Sequence, residues 1–406
     1  MVALGIFACT YLLMSKPHWR IVQLDRPTAG LLGAVLMVAA GVLTPEQAYR
    51  AVDWNTIVLL LGMFMLSGSL RLAGFFEWAA DTVLTHVATP TALLTALVCV
   101  SGLLSALLVN DTVCVMLAPL VIAMLERSDL PVLPYLFALA SGANIGSVMT
   151  VVGNPQNIII AHAAPLSYVA FARVLAPIGM LSLGLTVVLL RGLFRQDLQR
   201  RTIVVHPSTT TLLDRTLCIK SMLCLGLVLV GCISGLQLAW TALGGATVLL
   251  LIAGRPPRQM LAQVDGPLLL FFGALFSIVA GLEAAGVLRW VSTWVSPLFH
   301  APGLLGLFHF VWVSVLASNV VSNVPYVLVA ARWVAQEPHP HHLWLLLALT
   351  STFAGNLTLF ASVANVIVFE TARTHVRIGF WTFLWIGVPM TLLTTSIGVV
   401  LLLAGG

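Results

Sequence analysis

The sequence predicts an all-α polytopic membrane protein: about ten transmembrane helices and two re-entrant hairpins, in two inverted repeats with two broken helices. Three observations predict it. Of 406 residues, 60% are hydrophobic and 8% charged, and the mean hydropathy is +1.04; a soluble domain carries about 25% charged residues. Two of the apolar runs are interrupted by amides, hydroxyls, glycine and proline instead of by loops. The second half of the chain repeats the order of the first.

Apolar runs at 2–14, 28–43 and 54–75 read as three spans. The run 91–109 stops at Asn110-Asp111-Thr112, and apolar sequence resumes at once over 113–125. No loop long enough to leave the bilayer separates these arms, so they form a hairpin with the polar triplet at its tip. A broken span follows at 131–163 and an intact one at 172–193. The polar stretch 194–216, with Arg195, Arg200, Arg201 and Arg215, divides the chain into repeats at 1–194 and 217–406. The second repeat has spans at 217–236, 239–253 and 265–286, then an amphipathic stretch. A hairpin follows, its arms 303–319 and 326–334 meeting near 322–325. A broken span at 343–370 and a last span at 378–403 complete it.

The repeat is visible in letters. VDWNTIVLLLGMF from Val52 resembles VDGPLLLFFGALF from Val264, Asn110 answers Asn323, Thr150 answers Thr358, and Asn154 and Asn157 answer Ser362 and Asn365. Five spans per repeat is an odd number, which inverts the second repeat relative to the first. With both termini outside, the cytoplasmic set is Lys16, Arg20, Arg26, Arg71, Arg127, Arg191, Arg195, Arg200, Arg201, Arg215, Lys220, Arg255, Arg258, Arg373 and Arg377. Only Arg50, Arg173, Arg289 and Arg332 remain outside. That bias is what the positive-inside rule requires.

The stretch SGANIGSVMTVVGNPQNIII at 141–160 organises the chain. It sets Asn144, Ser147, Thr150, Asn154, Gln156 and Asn157 among Gly142, Gly146, Gly153 and Pro155. Hydrocarbon satisfies none of these groups, so a helix broken here must face protein or a watery cavity. Its counterpart carries Asn356, Thr358, Ser362 and Asn365. Asp111 is the sharpest single residue, since an intramembrane carboxylate is costly and usually faces a cavity. Thr112, Asn110 or a bound cation would favour its ionised form, burial its protonated form. Either suits proton or cation coupling, while an N-cap on the helix 113–125 is the plain reading. Asp53 and Asp265, at equivalent span starts, read as N-caps. Glu283 reads as snorkelling, Glu77 and Asp81 as solvated, and Pro-His-Pro-His-His at 338–342 as a loop. Trp290, Trp294, Trp312, Trp333 and Trp344 fit an interfacial belt.

The six cysteines fall in apolar runs without metal-ligand spacing and read as buried hydrophobes. No lysine or arginine lies in either tip or either break, which favours a neutral, weakly charged or cationic solute. The absence of HExxH, GxSxG and paired intramembrane aspartates argues against an enzyme. A net charge of +5 resides in the loops and is no nucleic-acid signal.

VNDTVCVMLAPLVI (109–122), ANIGSVMTVVGNPQNIII (143–160), SNVPYVLV (322–329) and AGNLTLFASVANVIV (354–368) resemble the ion transporter superfamily. Its members include ArsB-type arsenite permeases, NhaD-type Na+/H+ antiporters, citrate transporters and divalent-anion:Na+ symporters. The pattern over nearly the whole chain is most similar to ArsB-like and YbiR-like bacterial permeases. The resemblance implies a site between a mobile transport domain and a scaffold. It falls on Asn110, Asp111, Thr112, Asn154, Asn157, Ser322, Asn323, Thr358, Ser362 and Asn365; the polar breaks add Asn144, Thr150, Gly153 and Asn356. The symporter branch carries Ser-Asn-Thr at both tips, whereas here the tips read Asn-Asp-Thr and Ser-Asn-Val. This favours coupling to protons, or to one Na+ at the tips, over two-sodium dicarboxylate transport. The expected function is secondary transport of a small inorganic anion or its neutral acid, arsenite-like, with H+ as coupling ion and no other cofactor. Alternatives are Na+/H+ antiport, sodium-coupled carboxylate or sulfate transport, and a passive channel. The expected partners are the solute, the lipid of a bacterial inner membrane and a second copy of the chain.

Overall fold

The computed structural model describes residues 1–15, 25–128, 130–164, 166–199 and 213–404; Lys16, Arg20, Arg200 and Arg201 lie outside the described residues. The described residues form helices and no strand. In the first half these are α1 (Val2–Ser15), α2 (Arg26–Ala39), α3 (Pro45–Ala51), α4 (Trp54–Leu72), α5 (Phe75–His86), α6 (Pro90–Leu107), α7 (Asn110–Arg127), α8 (Val132–Ser147), α9 (Pro155–Ala163) and α10 (Tyr168–Leu193). In the second they are α11 (Arg215–Ile233), α12 (Leu238–Ile252), α13 (Pro257–Leu261), α14 (Gly266–Ala284), α15 (Val287–Phe299), α16 (Leu304–Val321), α17 (Asn323–Val334), α18 (His341–Ala354), α19 (Val363–Thr371) and α20 (Phe380–Ala404).

By length and composition α4, α6, α10, α11, α14, α16 and α20 are long and apolar enough to cross a membrane; α1, α2, α8 and α12 are shorter apolar helices. Outward faces stay apolar, with Leu227, Leu251 and Trp385 exposed, because lipid and not water is the solvent there. Local chemistry sets the helix starts. Asp53 caps α4 by accepting from Asn55 N–H at 3.0 Å and the Thr56 hydroxyl at 2.6 Å, and Asp265 caps α14 through Leu268 N–H at 3.0 Å.

The halves interlock. α2 packs on α14 and α12 on α4; α19 packs on α7 and α17 on α9. Within the halves α6 lies against α8 and α16 against α18, so this packing maps onto itself when the halves are exchanged. The α6–α8 approach is close because it is lined by glycine. A Cβ on Gly146 would stand 2.0 Å from the Gly102 carbonyl oxygen, so the two backbones touch directly.

Several expectations are corrected. The first hairpin turns at Leu108 and Val109, and Asn110-Asp111-Thr112 already forms the first turn of α7. Asp111 is therefore not the N-cap; Val109 is, with no side-chain bond. The short helices α3 and α13 were not foreseen, although Thr44 and Gln47 form a capping box at the start of α3. Trp344 is buried and not interfacial. Cys9 and Cys99 are exposed, while Cys114, Cys224 and Cys232 are buried. Glu77 is not simply solvated, since its Oε2 is buried without a hydrogen-bond partner. Glu283 pairs with Arg332 at 2.6 Å.

Candidate functional site

Each broken helix frees backbone carbonyls, and an asparagine just beyond the break satisfies them. Asn157 Nδ2 donates to the carbonyls of Ser147 and Thr150, both at 3.0 Å. Asn365 Nδ2 donates to those of Gly355 at 2.6 Å and Thr358 at 3.1 Å. Equivalent residues make equivalent bonds in the two halves. Asn154 caps α9 through Asn157 N–H at 2.8 Å and donates to the hydroxyls of Ser147 at 2.9 Å and Thr352 at 3.2 Å. The Thr150 hydroxyl donates to the Ala106 carbonyl at 2.5 Å. A Cβ at position 153 would meet the Ser147 carbonyl oxygen at 2.2 Å, which fixes Gly153.

Asn144 joins the halves. Because Asn365 Nδ2 is committed to two carbonyls, its Oδ1 can only accept, and it accepts from Asn144 Nδ2 at 2.9 Å. Asn144 Nδ2 also donates to Asn356 Oδ1 at 3.0 Å. Asn144 Oδ1 then receives the Ser362 hydroxyl at 2.9 Å and Asn110 Nδ2 at 3.4 Å. This chain of assignments leaves Asn110 Oδ1 and Asn356 Nδ2 buried and unpartnered, as Asn323 Oδ1 and Asn157 Oδ1 also are. Buried polar atoms rarely stay unpaired, so these four asparagine atoms are free to accept or donate to a solute or to water.

The two tips and two breaks meet at a cleft of 20 Å³ lined by Asn110, Asp111, Gln156, Ser322, Asn323 and Ser362, with Phe271 and Phe272 of α14 as an apolar wall. That volume holds one water- or ion-sized particle. Asp111, 6% exposed, faces the Ala364 backbone N–H at the start of α19, so it serves the positive end of a helix from the other half. Ser322, at the second tip, has φ 68°, the one positive value outside glycine among the described residues. Such strain collects where a backbone group is held for function.

Two larger cavities adjoin the cleft. One, of 220 Å³, is lined by Asp111, Thr112, Arg71, Gln263 and Asp265. The other, of 440 Å³, is lined by Tyr11, Arg26, Asn319, Ser322 and Thr358 among apolar neighbours. The structure thus brings Asn110, Asp111, Ser322, Asn323 and Ser362 to the cleft and places Thr112 and Thr358 on the flanking cavities. Asn144, Thr150, Gly153, Asn154, Asn157, Asn356 and Asn365 hold the breaks from behind. Sequence reading missed Arg26 and Arg71 as cavity residues by assigning both to membrane edges. The signal for Arg26 was its place between a capping aspartate and a proline, inside the first turn of α2.

The citrate transporter family profile matches residues 10–352. The chain belongs to the citrate transporter family. This family member is 29% identical to the silicon efflux transporter LSI3 of Oryza sativa subsp. japonica, over 99% of the chain and 96% of the relative. It is 30% identical to the inner membrane protein YbiR of Escherichia coli strain K12, over 96% and 98%. The crystal structure of the Alcanivorax borkumensis YdaH transporter shares its fold, with a TM-score of 0.59 at 16% identity over 99% of this chain and 96% of that one. The protein is a multi-pass membrane transporter and not an enzyme.

Proposed function

We propose that this citrate transporter family member is a secondary carrier of a small inorganic oxyacid, taken as the anion or the neutral acid, coupled to protons by alternating access in a bacterial inner membrane. One observation carries the reading: a cleft for a single small particle lies between two hairpin tips and two helix breaks, with Asp111 as its one ionisable group. Hydroxyl-rich inorganic acids match amide and hydroxyl walls, and a relative named for silicon efflux supports that solute class over a large carboxylate. Residues 1–194 and 217–406 would be the inverted repeats, with both termini outside. The orphaned carbonyl oxygens of Asn110 and Asn323 favour one second reading, in which Na+ and not H+ is the coupling ion. A homodimer fits either reading.

The test is flux in proteoliposomes. A pH gradient should drive at least one small oxyacid uphill, with arsenite, silicic acid, phosphate and sulfate assayed in turn, and Asp111→Asn should abolish that coupling while the purified protein keeps its melting profile. A gradient that drives nothing in the wild type, or drives the variant equally well, would refute proton coupling through Asp111. Uphill flux driven by Na+ alone would select the second reading.

A further inference from the structure

The 440 Å³ cavity contains a charged group that the cleft does not need. Asp25 caps α2 through Thr28 N–H at 2.9 Å, which places Arg26 in the first helical turn. From there its guanidinium reaches across to the break in the second half and donates to the Phe360 carbonyl at 3.4 Å. Among the described residues no carboxylate lies within ion-pair distance of it. Asp111 and Tyr11 bear on it only through space. A cationic side chain turned into a membrane protein's cavity is costly and usually functional.

The polar neighbours on the same wall are already engaged. The Ser322 hydroxyl donates to the Ala361 carbonyl at 3.3 Å, and the Thr358 hydroxyl to Asn319 Oδ1 at 2.8 Å. Asn319 Nδ2 donates to the carbonyls of Val315 at 2.8 Å and Ala354 at 3.1 Å. Arg26, with five N–H donors and one long bond, therefore carries the wall's spare donor capacity. Its planar fork matches two oxygens of an oxyanion or carboxylate. Ser322, Pro325 and Phe271 border both this cavity and the cleft, so a solute held at Arg26 is next to the site between the tips.

We propose that this cavity is an anion antechamber and that Arg26 is its recognition group, so that the solute is admitted as an oxyanion or carboxylate and not as a neutral acid. The inference rests on the carrier reading above and names the charge state of the solute. Arg26 supplies the fixed positive charge missing from the tips and breaks, and Asp111 beyond it keeps the anion from moving deeper until its own charge is neutralised.

The test is binding by the full-length protein in detergent at pH 7, read as thermal shift against sulfate, phosphate, citrate and arsenous acid, the last being neutral at this pH. At least one anion should stabilise the wild type in a saturable way. Arg26→Gln should weaken that anion at least tenfold, Arg26→Lys less, and any response to arsenous acid should not change. Arg26→Cys labelled with a cationic aminoethyl thiosulfonate should recover part of the affinity, and the same variant labelled with an anionic sulfonatoethyl reagent should not. The wild type given the same reagents controls for Cys9 and Cys99. Charge-dependent recovery separates recognition from a folding defect. Wild type that binds no anion, or Arg26→Gln that binds like wild type, overturns the proposal. A wild type that binds no anion yet carries arsenite down a pH gradient would sink the antechamber and leave the carrier standing. Anion binding without gradient-driven flux would do the reverse.

Discussion

Replacing Asn144 with alanine tests the site's construction most directly. The side chain makes four hydrogen bonds, to Asn110, Asn356, Asn365 and Ser362. At about 0.6 kcal/mol each, the average for side-chain bonds inside a membrane protein, their loss costs about 2 kcal/mol. The change also strands Asn110 Nδ2, Asn356 Oδ1, Asn365 Oδ1 and the Ser362 hydroxyl, and a buried group left unpaired costs about 1–3 kcal/mol. The adjoining cleft lets water repair part of this, so the total is roughly 3–5 kcal/mol. Thr352 stands at the equivalent point of the other half and accepts one bond, from Asn154 Nδ2, which keeps its bond to Ser147. Thr352→Ala should therefore cost under about 1 kcal/mol. In a melting experiment on purified protein, Asn144→Ala should lower the midpoint by on the order of 5–10 °C and Thr352→Ala by no more than about 2 °C. Equal shifts for the two variants would refute the reasoning, because a symmetric site has no hub.

Two further predictions concern the frame. Gly146→Ala sets a methyl 2.0 Å from the Gly102 carbonyl oxygen. Backbone cannot rotate aside, so the α6–α8 pair must separate, at or above the top of the usual overpacking range of about 1–3 kcal/mol; size-exclusion yield of monodisperse protein should collapse. Outside the spans, Arg255 bonds Asp214 at 2.7 Å and, with Leu217 N–H, holds its carboxyl below the ordinary carboxylate range. A depressed carboxylate stabilises the fold above its unfolded value of about 3.9 and stops doing so as pH falls through its folded value. Arg255→Gln should therefore melt slightly earlier than wild type at pH 6, and the gap should close on acidification below pH 4. It stays small because both groups are partly exposed. A gap that widens in acid would contradict the assignment.

The class of fold was legible because lipid imposes it. Uninterrupted apolar runs must be helices, and polar breaks within them must be satisfied internally. The pairing of Asn157 with Asn365 was legible too, since each stands seven residues after a threonine, Thr150 or Thr358, and three after Asn154 or Ser362, and the two residues make matching bonds. What could not be read is whatever depends on how the halves cross. Arg26 precedes an apolar run and looks interfacial in one dimension; only the packing of α2 on α14 brings it to the opposite half's break. The same holds for Asp111, whose nearest letters suggest a cap for its own helix, while its carboxylate serves Ala364 of α19. Trp344 looked like a belt residue because composition marks a span's end but not which side faces protein.

The halves share one plan without being in one state. α9 packs against α4, with His162 3.9 Å from the Asp53 that caps α4, and Gln237 at the start of α12 donates to Asn55 of α4 at 2.8 Å. The equivalent helix α19 has no comparable packing on α14 among the described residues. Phe271 and Phe272 of α14 instead face Ser362 and Val363 across the cleft. On the carrier reading proposed above, two halves that follow one packing plan, one with this contact and one without it, need little new structure to exchange roles: the contact that would form on one side already exists on the other. That economy fits the alternating access proposed above better than a passive pore: a pore would require both sides to part at once, and the α4–α9 contact, with His162 3.9 Å from Asp53, would have to break with no compensating closure.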